Sequence, residues 1–306
     1  MRIALIAQGE FGKSIFNAFA ARGDAVTGIL RLGNEADALD AAAGDKGIPV
    51  HRLDSFAGED AASALREMAA DLVVLGFMGE TLPQALLDLP VHGAIQIHAS
   101  LLPRFRGPTP VPWCIARGEV ETGVTVLRPT QKPYEGPVIL QRTCAIGPEE
   151  TQGELYRREL LQLGVDSLVT AAQLVLRGEQ IEIDQDENAA TYEGRFGEAE
   201  AEIHWASHAE IVHNLIRAAN PEPGAWTRLA GEKLRILDVC LTATHRADEV
   251  VGGPGEIVSV DRDGFAVCAP GGQIMVRRVQ PEGGEAMTAA EFVKARSLAP
   301  GQRFGG

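Results

Sequence analysis

The chain has 306 residues, 45% hydrophobic and 23% charged, a balance that excludes a disordered or fibrous protein and fits two globular domains with their own cores. Its formal net charge of −14 opposes a polyanionic partner, because phosphate contacts need clustered Lys and Arg, so tRNA and other nucleic acids are expected to be excluded. Four widely spaced cysteines, Cys114, Cys144, Cys240 and Cys268, form neither a CxxC nor a Cys/His ligand pair, which predicts free thiols and no metal.

"RIALIA" at residues 2–7 reads as a buried strand, and "GEFGKSIFNAFAARG" after it carries apolar residues at helical spacing up to a glycine stop. No small-residue cleavage site precedes this β-α opening. The longest apolar stretches, such as "DLVVLGFMG", are too short to span a bilayer, so a cytoplasmic protein without a membrane partner is expected. The alternation continues through the strand "DAVTGIL", the helix "SFAGEDAASALREMAA" and the continuous apolar strand "DLVVLGF", of the kind found in parallel sheets covered on both faces. "AIQIH" is a further strand, "TPVPWCIARG" a short helix, and "TGVTVLR" and "VILQRT" two more strands. Thr151 and Glu154 form a capping-box signature that opens a long helix closing near Gly178.

A polar stretch without a helical stripe follows, "EQIEIDQDENAATYEGRFGEAEAEIHW", and reads as an extended linker. Beyond it, a capping box at Ser207 and Glu210 opens one helix and another at Thr288 and Glu291 the last one. Between them lie the strands "KLRILDVCLT", "GEIVSV", "FAVCA" and "QIMVRRV", with a hairpin turn at Asp263 and Gly264. The expected division is a first α/β domain over residues 1–186, a linker over 187–204 and a small β-barrel domain over 205–306.

Two motifs bear on chemistry. "GEFG" after the first strand lacks the full GxGxxG spacing, and Arg31 stands near the end of the second strand where a dinucleotide site carries an acidic residue. NAD(P) is therefore not expected, and the turn reads as close β-α packing. His98 ends a strand in an α/β pattern, where ligands gather outside the carboxyl ends of the strands. The Pro- and Gly-rich loop after it, "ASLLPRFRGPTPVPW", is a rigid connection able to hold a site in shape, with Ser100, Arg104, Arg106 and Gly107 as its structural residues.

"IHASLLPRFRGPTPVPWCIARGEVETGVTV", "ATYEG" and "IHWASHAEIVHNLIRAANPEPGAWT" resemble, in order and spacing, the signatures of the folate-dependent formyltransferases. That family includes methionyl-tRNA formyltransferase, the sugar-amine N-formyltransferases and the N-terminal hydrolase domain of 10-formyltetrahydrofolate dehydrogenase, the last being the most similar. The resemblance implies a Rossmann-like parallel-sheet domain that binds 10-formyltetrahydrofolate, followed by an OB-like barrel. It implies transfer of a formyl group to a small amine or to water, with tetrahydrofolate as the product; the sequence leaves a homo-oligomer open. It places His98 as the proton-handling histidine. Phe77, Met78, Gly79, Leu82 and Pro83 in "FMGETLP", with Gln131, Pro133 and Gly136 in "RPTQKPYEG", match segments that enclose the pterin.

The chain departs from the family pattern twice. Gln96 stands where the transferases have an asparagine two residues before the histidine. Tyr134 stands where an aspartate usually sets the histidine's orientation and pKa. A phenol, with its ordinary pKa near 10, is no ionised partner at neutral pH, but it can donate a hydrogen bond to an oxyanion. Glu135 is the candidate carboxylate substitute, although neighbouring residues on an extended segment face opposite ways. The competing expectation is a folate-binding homologue without turnover, or one specialised in other one-carbon chemistry.

Overall fold

The computed structural model describes residues 1–77, 81–243 and 252–305. In chain order it begins with β1 (Arg2–Ile6), α1 (Gly9–Ala21), β2 (Ala25–Leu32), α2 (Ala38–Gly44), β3 (Val50–Leu53), α3 (Glu59–Met68), β4 (Leu72–Leu75) and α4 (Gln84–Leu87). There follow β5 (Ala94–His98), α5 (Pro110–Ala116), β6 (Glu121–Leu127), β7 (Val138–Ala145), α6 (Gln152–Leu155), a π-helical turn over Tyr156–Leu160 and α7 (Leu161–Arg177). Then come α8 (Ala209–Ala218), β8 (Trp226–Leu229), β9 (Glu232–Ala243), β10 (Ile257–Val260), β11 (Phe265–Ala269), β12 (Gly272–Pro281), β13 (Met287–Thr288) and α9 (Ala289–Arg296). Two compact units emerge, and they interleave in sequence where the expected domains were continuous. One comprises Met1–Pro110, Glu121–Ala145 and Arg157–Gly194; the other comprises Val111–Val120, Ile146–Tyr156 and Arg195–Gly306.

The first unit is built on a seven-stranded sheet in the order β3-β2-β1-β4-β5-β6-β7. Strands β1 to β5 run parallel, and β6 and β7 are antiparallel additions at one side. The apolar runs "LVVL" and "AIQIH" are buried throughout, which is why they read as continuous rather than alternating strands. Helix α7 packs against α1 and against β5, β6 and β7, and its apolar residues Val165, Leu168, Ala171, Ala172 and Val175 are buried. The Thr151–Glu154 capping box is formed, and the helical run that it opens ends at Gly178 in the left-handed conformation.

The turn after β1 shows why "GEFG" has its glycines. Gly9 has a left-handed backbone, φ 65°, and a Cβ at position 12 would press on Leu39; the Gly9 N–H donates to the Asp37 carboxylate at 2.7 Å. Arg31 is buried and pairs with Asp37 and Asp40, while Arg52 takes the second oxygen of Asp40. Within "NEADALD", Asp37 and Asp40 form the capping box that opens α2 at Ala38.

The second unit carries an antiparallel sheet in the order β10-β11-β12-β9-β8, with β13 paired to β12. Register shifts between β9 and β12 and between β10 and β11 curl it. Residues 301–305 then bridge its two outer strands. On one side Gly301 donates to Ile257 O and Ile257 to Gln302 O; on the other Gly305 donates to Arg228 O, and Leu229 bridges Phe304. The hairpin turn expected at Asp263 and Gly264 joins β10 to β11, with the Asp261 carboxylate accepting both of their N–H groups.

The Thr288–Glu291 box caps α9 as expected. The box expected at Ser207 is not formed: His208 is the N-cap of α8, its Nδ1 accepting from Glu210 N–H, because the Ala209 N–H is tied to Pro270 O and the helix starts one residue later. Among the described residues all four cysteines are free thiols; Cys114, Cys144 and Cys268 are buried and Cys240 partly so.

Candidate functional site

His98 is the last residue of β5, pairs in register with Thr125 of β6 and is 4% exposed. The chain then folds back over it. Its Nε2 lies 3.0 Å from the Phe105 carbonyl oxygen. A carbonyl only accepts, so Nε2 carries the proton and Nδ1 is the acceptor nitrogen. Burial lowers the imidazole pKa to about 4, against the opposing pull of the Phe105 carbonyl, and the ring is neutral near pH 7.

Gln96 lies two residues back on the same strand face and is buried as well. The Tyr134 ring packs over the imidazole with centroids 4.8 Å apart and the planes tilted by 45°. Burial, with a smaller contribution from Tyr192, raises its phenol pKa to about 12, so position 134 supplies a neutral hydroxyl and no charge. Tyr134 has a left-handed backbone, φ 66°, and its carbonyl and that of Gly136 both accept from the Gln185 side chain, at 2.7 and 2.8 Å. Gly136 is required by space: a Cβ there would overlap the Arg128 carbonyl.

Glu135 does not turn toward His98. Its carboxylate lies 3.4 Å from Lys132 and 3.9 Å from Arg106. Arg106 is buried, with its guanidinium forked onto Glu187 at 2.7 and 2.9 Å and onto Gln185 at 2.9 and 3.2 Å. Hydrogen bonding to Glu187 raises its pKa further, so it is a fixed cation that clamps the loop. Gly107, at φ 130°, lies so close to Glu193 that a side chain would overlap its carbonyl. Arg104 is exposed, with its guanidinium 5.1 Å from the Phe105 ring centroid. Ser100 is buried, and its single hydroxyl proton is shared between the Arg104 and Phe105 carbonyls, at 2.9 and 3.2 Å.

Of the residues matched to the pterin-enclosing segments, Phe77 stacks on Phe11 with centroids 4.2 Å apart. That pair follows β4 and β1, between which the strand order reverses, the usual crevice of an open α/β sheet. Leu82 points into the core and Pro83 caps α4, whereas Gln131 and Pro133 are exposed. Met78 and Gly79 lie outside the described residues.

Several site residues were not singled out in the sequence. Thr125 Oγ1 donates to Ser100 O at 2.6 Å, and Gln141 Nε2 donates to Leu102 O at 2.6 Å and to Thr125 Oγ1 at 2.9 Å. Thr191 Oγ1 accepts the Phe105 N–H at 2.8 Å. A polar residue inside the apolar strand "GVTVL", opposite His98, was the one hint available for Thr125. Among the described residues, no group of three or more His, Cys, Asp or Glu is placed to hold a metal ion.

Comparison with known proteins bears on this constellation. The family model described as Formyl transferase matches residues 1–171, and that of its C-terminal domain residues 196–297. A methionyl-tRNA formyltransferase of Moorella thermoacetica is 36% identical over 259 residues, 85% of this chain and 82% of that protein. The human mitochondrial 10-formyltetrahydrofolate dehydrogenase is 32% identical over 95% of this chain, which spans 33% of that longer protein. In fold, the chain resembles HypX from Aquifex aeolicus, solved with tetrahydrofolic acid, with a TM-score of 0.67 and 17% identity, over 95% of this chain and 46% of that one.

These findings correct the expectation that tRNA and other nucleic acids are excluded, since relatives sharing a third of the sequence over most of their length are methionyl-tRNA formyltransferases. A net charge is a sum over the whole chain, while a phosphate contact is local.

Proposed function

From its place in the folate-dependent formyltransferase family, to which this chain belongs, we propose that it transfers a formyl group from 10-formyltetrahydrofolate to an amino nitrogen. The reading rests chiefly on one observation: a buried, neutral His98 at the carboxyl end of β5 shares its strand face with Gln96 and lies against the Tyr134 ring. The donor set suits a formyl group, since an amide N–H₂ and a phenol O–H are two neutral donors for an oxygen that gains negative charge as the carbon is attacked.

The residues divide the work as follows. The acceptor nitrogen bonds to the formyl carbon, and the bond from that carbon to the folate nitrogen breaks. His98 Nδ1 takes the proton released by the acceptor and returns it to the departing folate nitrogen, ending neutral as it began. Gln96 and Tyr134 donate to the formyl oxygen. Phe77, stacked on Phe11 beside the crevice between β1 and β4, bounds the pterin. Arg106 holds the loop behind His98 through Glu187 and Gln185 and touches no reacting atom.

The acceptor is a primary amine, and the aminoacyl end of a charged tRNA is the form on which the methionyl-tRNA formyltransferase relatives act. The test is tetrahydrofolate release from 10-formyltetrahydrofolate with methionyl-tRNA, with a panel of small amines and with buffer alone, beside a His98→Ala variant. Amine-dependent release that the variant loses supports the proposal. Release indifferent to amines would make water the acceptor, and folate binding without release would reduce the chain to a non-catalytic homologue.

A further inference from the structure

We propose that the backbone carbonyl of Phe105 is the group that orients His98 and sets its tautomer, and that Ser100 and Thr191, which hold this carbonyl, are positioning residues of the site. The tautomer is a property of the free protein; its use in formyl transfer rests on the function proposed above.

With Tyr134 neutral and Glu135 drawn to Arg106 and Lys132, neither residue gives the imidazole an anionic partner. The Phe105 carbonyl stands 3.0 Å from Nε2. It is aimed inward because Phe105 adopts a left-handed backbone, φ 56°, an uncommon state for a bulky residue that the surroundings must enforce. They do so at several points. The Phe105 N–H is bound by Thr191 Oγ1 at 2.8 Å, and Ser100 Oγ lies 3.2 Å from the same carbonyl oxygen that faces His98. The start of the loop is tied down by Thr125 through Ser100 O and the Leu102 N–H, at 2.6 and 3.1 Å, and by Gln141 through Leu102 O.

A carbonyl partner differs chemically from a carboxylate. It fixes the Nε2–H form equally well, but it adds no negative charge to stabilise an imidazolium, so the ring stays neutral to low pH with Nδ1 as its acceptor. The loop motif then has a duty beyond shape: it supplies the orienting partner that the family resemblance assigns to an aspartate at position 134.

The test is two-bond ¹H–¹⁵N correlation of ¹⁵N-histidine-labelled full chain between pH 5 and 8, with His98 assigned by its loss in His98→Gln. The expected wild-type pattern is a neutral ring protonated on Nε2 across that range. Ser100→Ala and Thr191→Val should bring in the Nδ1–H form and lower kcat by tenfold or more at unchanged KM, while Ser100→Thr and Thr191→Ser should retain the Nε2–H form. A wild-type Nδ1–H ring, or one that titrates near 6.5, overturns the proposal. So do variants that lose kcat with the tautomer unchanged. Should the alanine and valine variants fail to fold, the wild-type spectrum still decides. A wild-type Nε2–H ring without formyl transfer to any acceptor would defeat the proposed function and leave this assignment standing.

Discussion

At the scale of single residues, the buried imidazole makes the most demands. If His98 moves the proton in the rate-limiting step, His98→Ala should lower kcat by about 10²- to 10⁴-fold, measured as tetrahydrofolate release. It should also shape stability. Its folded pKa of about 4 lies below the unperturbed 6.5, so between these values the unfolded chain binds a proton that the folded chain refuses. Its stability penalty is absent above about pH 6.5 and grows as pH falls toward 4, to roughly 3 kcal/mol. Urea unfolding of the wild type and of His98→Gln at pH 7, 5.5 and 4.5 should show the wild type losing more on acidification. Tyr134→Asp should act in the opposite sense on the ring, raising the His98 pKa by placing an anion beside it, which the same NMR titration would read. That His98, Gln96 and Tyr134 come together was legible in the sequence, because a strand end and a motif position mark them. The Phe105 carbonyl was not, since a backbone oxygen leaves no trace in residue type. Glu135 misled for a related reason: its neighbour in sequence faces the imidazole, but its own charge is drawn to Arg106 and Lys132.

At the scale of elements, legibility followed local chemistry. The two Thr-x-x-Glu boxes are formed where the sequence put them, at Thr151 and Thr288, because the hydroxyl and carboxylate need only their own helix turn. Thr288→Ala should therefore cost about 1 kcal/mol in chemical denaturation and leave the His98 site untouched. Ser207 failed because a long-range bond from Ala209 to Pro270 fixes the start of α8, which no local pattern reports. Helix α2 went unread since its box is built from two aspartates, which composition counts merely as charge. The strands β3 and β8, four residues each, are too short for alternation to be distinctive. In the loop that carries Tyr134, Gly136→Ala would force a Cβ into the Arg128 carbonyl. We expect a loss of about 1–3 kcal/mol, seen as a lower denaturation midpoint, and displacement of Tyr134 from the imidazole, seen as a changed His98 resonance.

At the scale of the whole molecule, the alternating first half and the strand-rich second half gave the fold class, while the interleaving of segments 111–120 and 146–156 into the second unit depends on contacts that no periodicity encodes. The global charge was the least informative quantity, because a sum over the whole chain carries no record of local patches of either sign. Phe304, 4% exposed and stacked with Trp205 and Phe265, anchors the segment that joins the outer strands of the second sheet. Phe304→Ala should cost about 3–5 kcal/mol by thermal or urea unfolding of that unit. That joining has another side. An open sheet presents two rows of free N–H and C=O groups, each a template onto which a neighbouring molecule's strand can add. Residues 301–305 occupy parts of both rows at once, so the fastening also leaves fewer free backbone groups for a foreign strand to pair with.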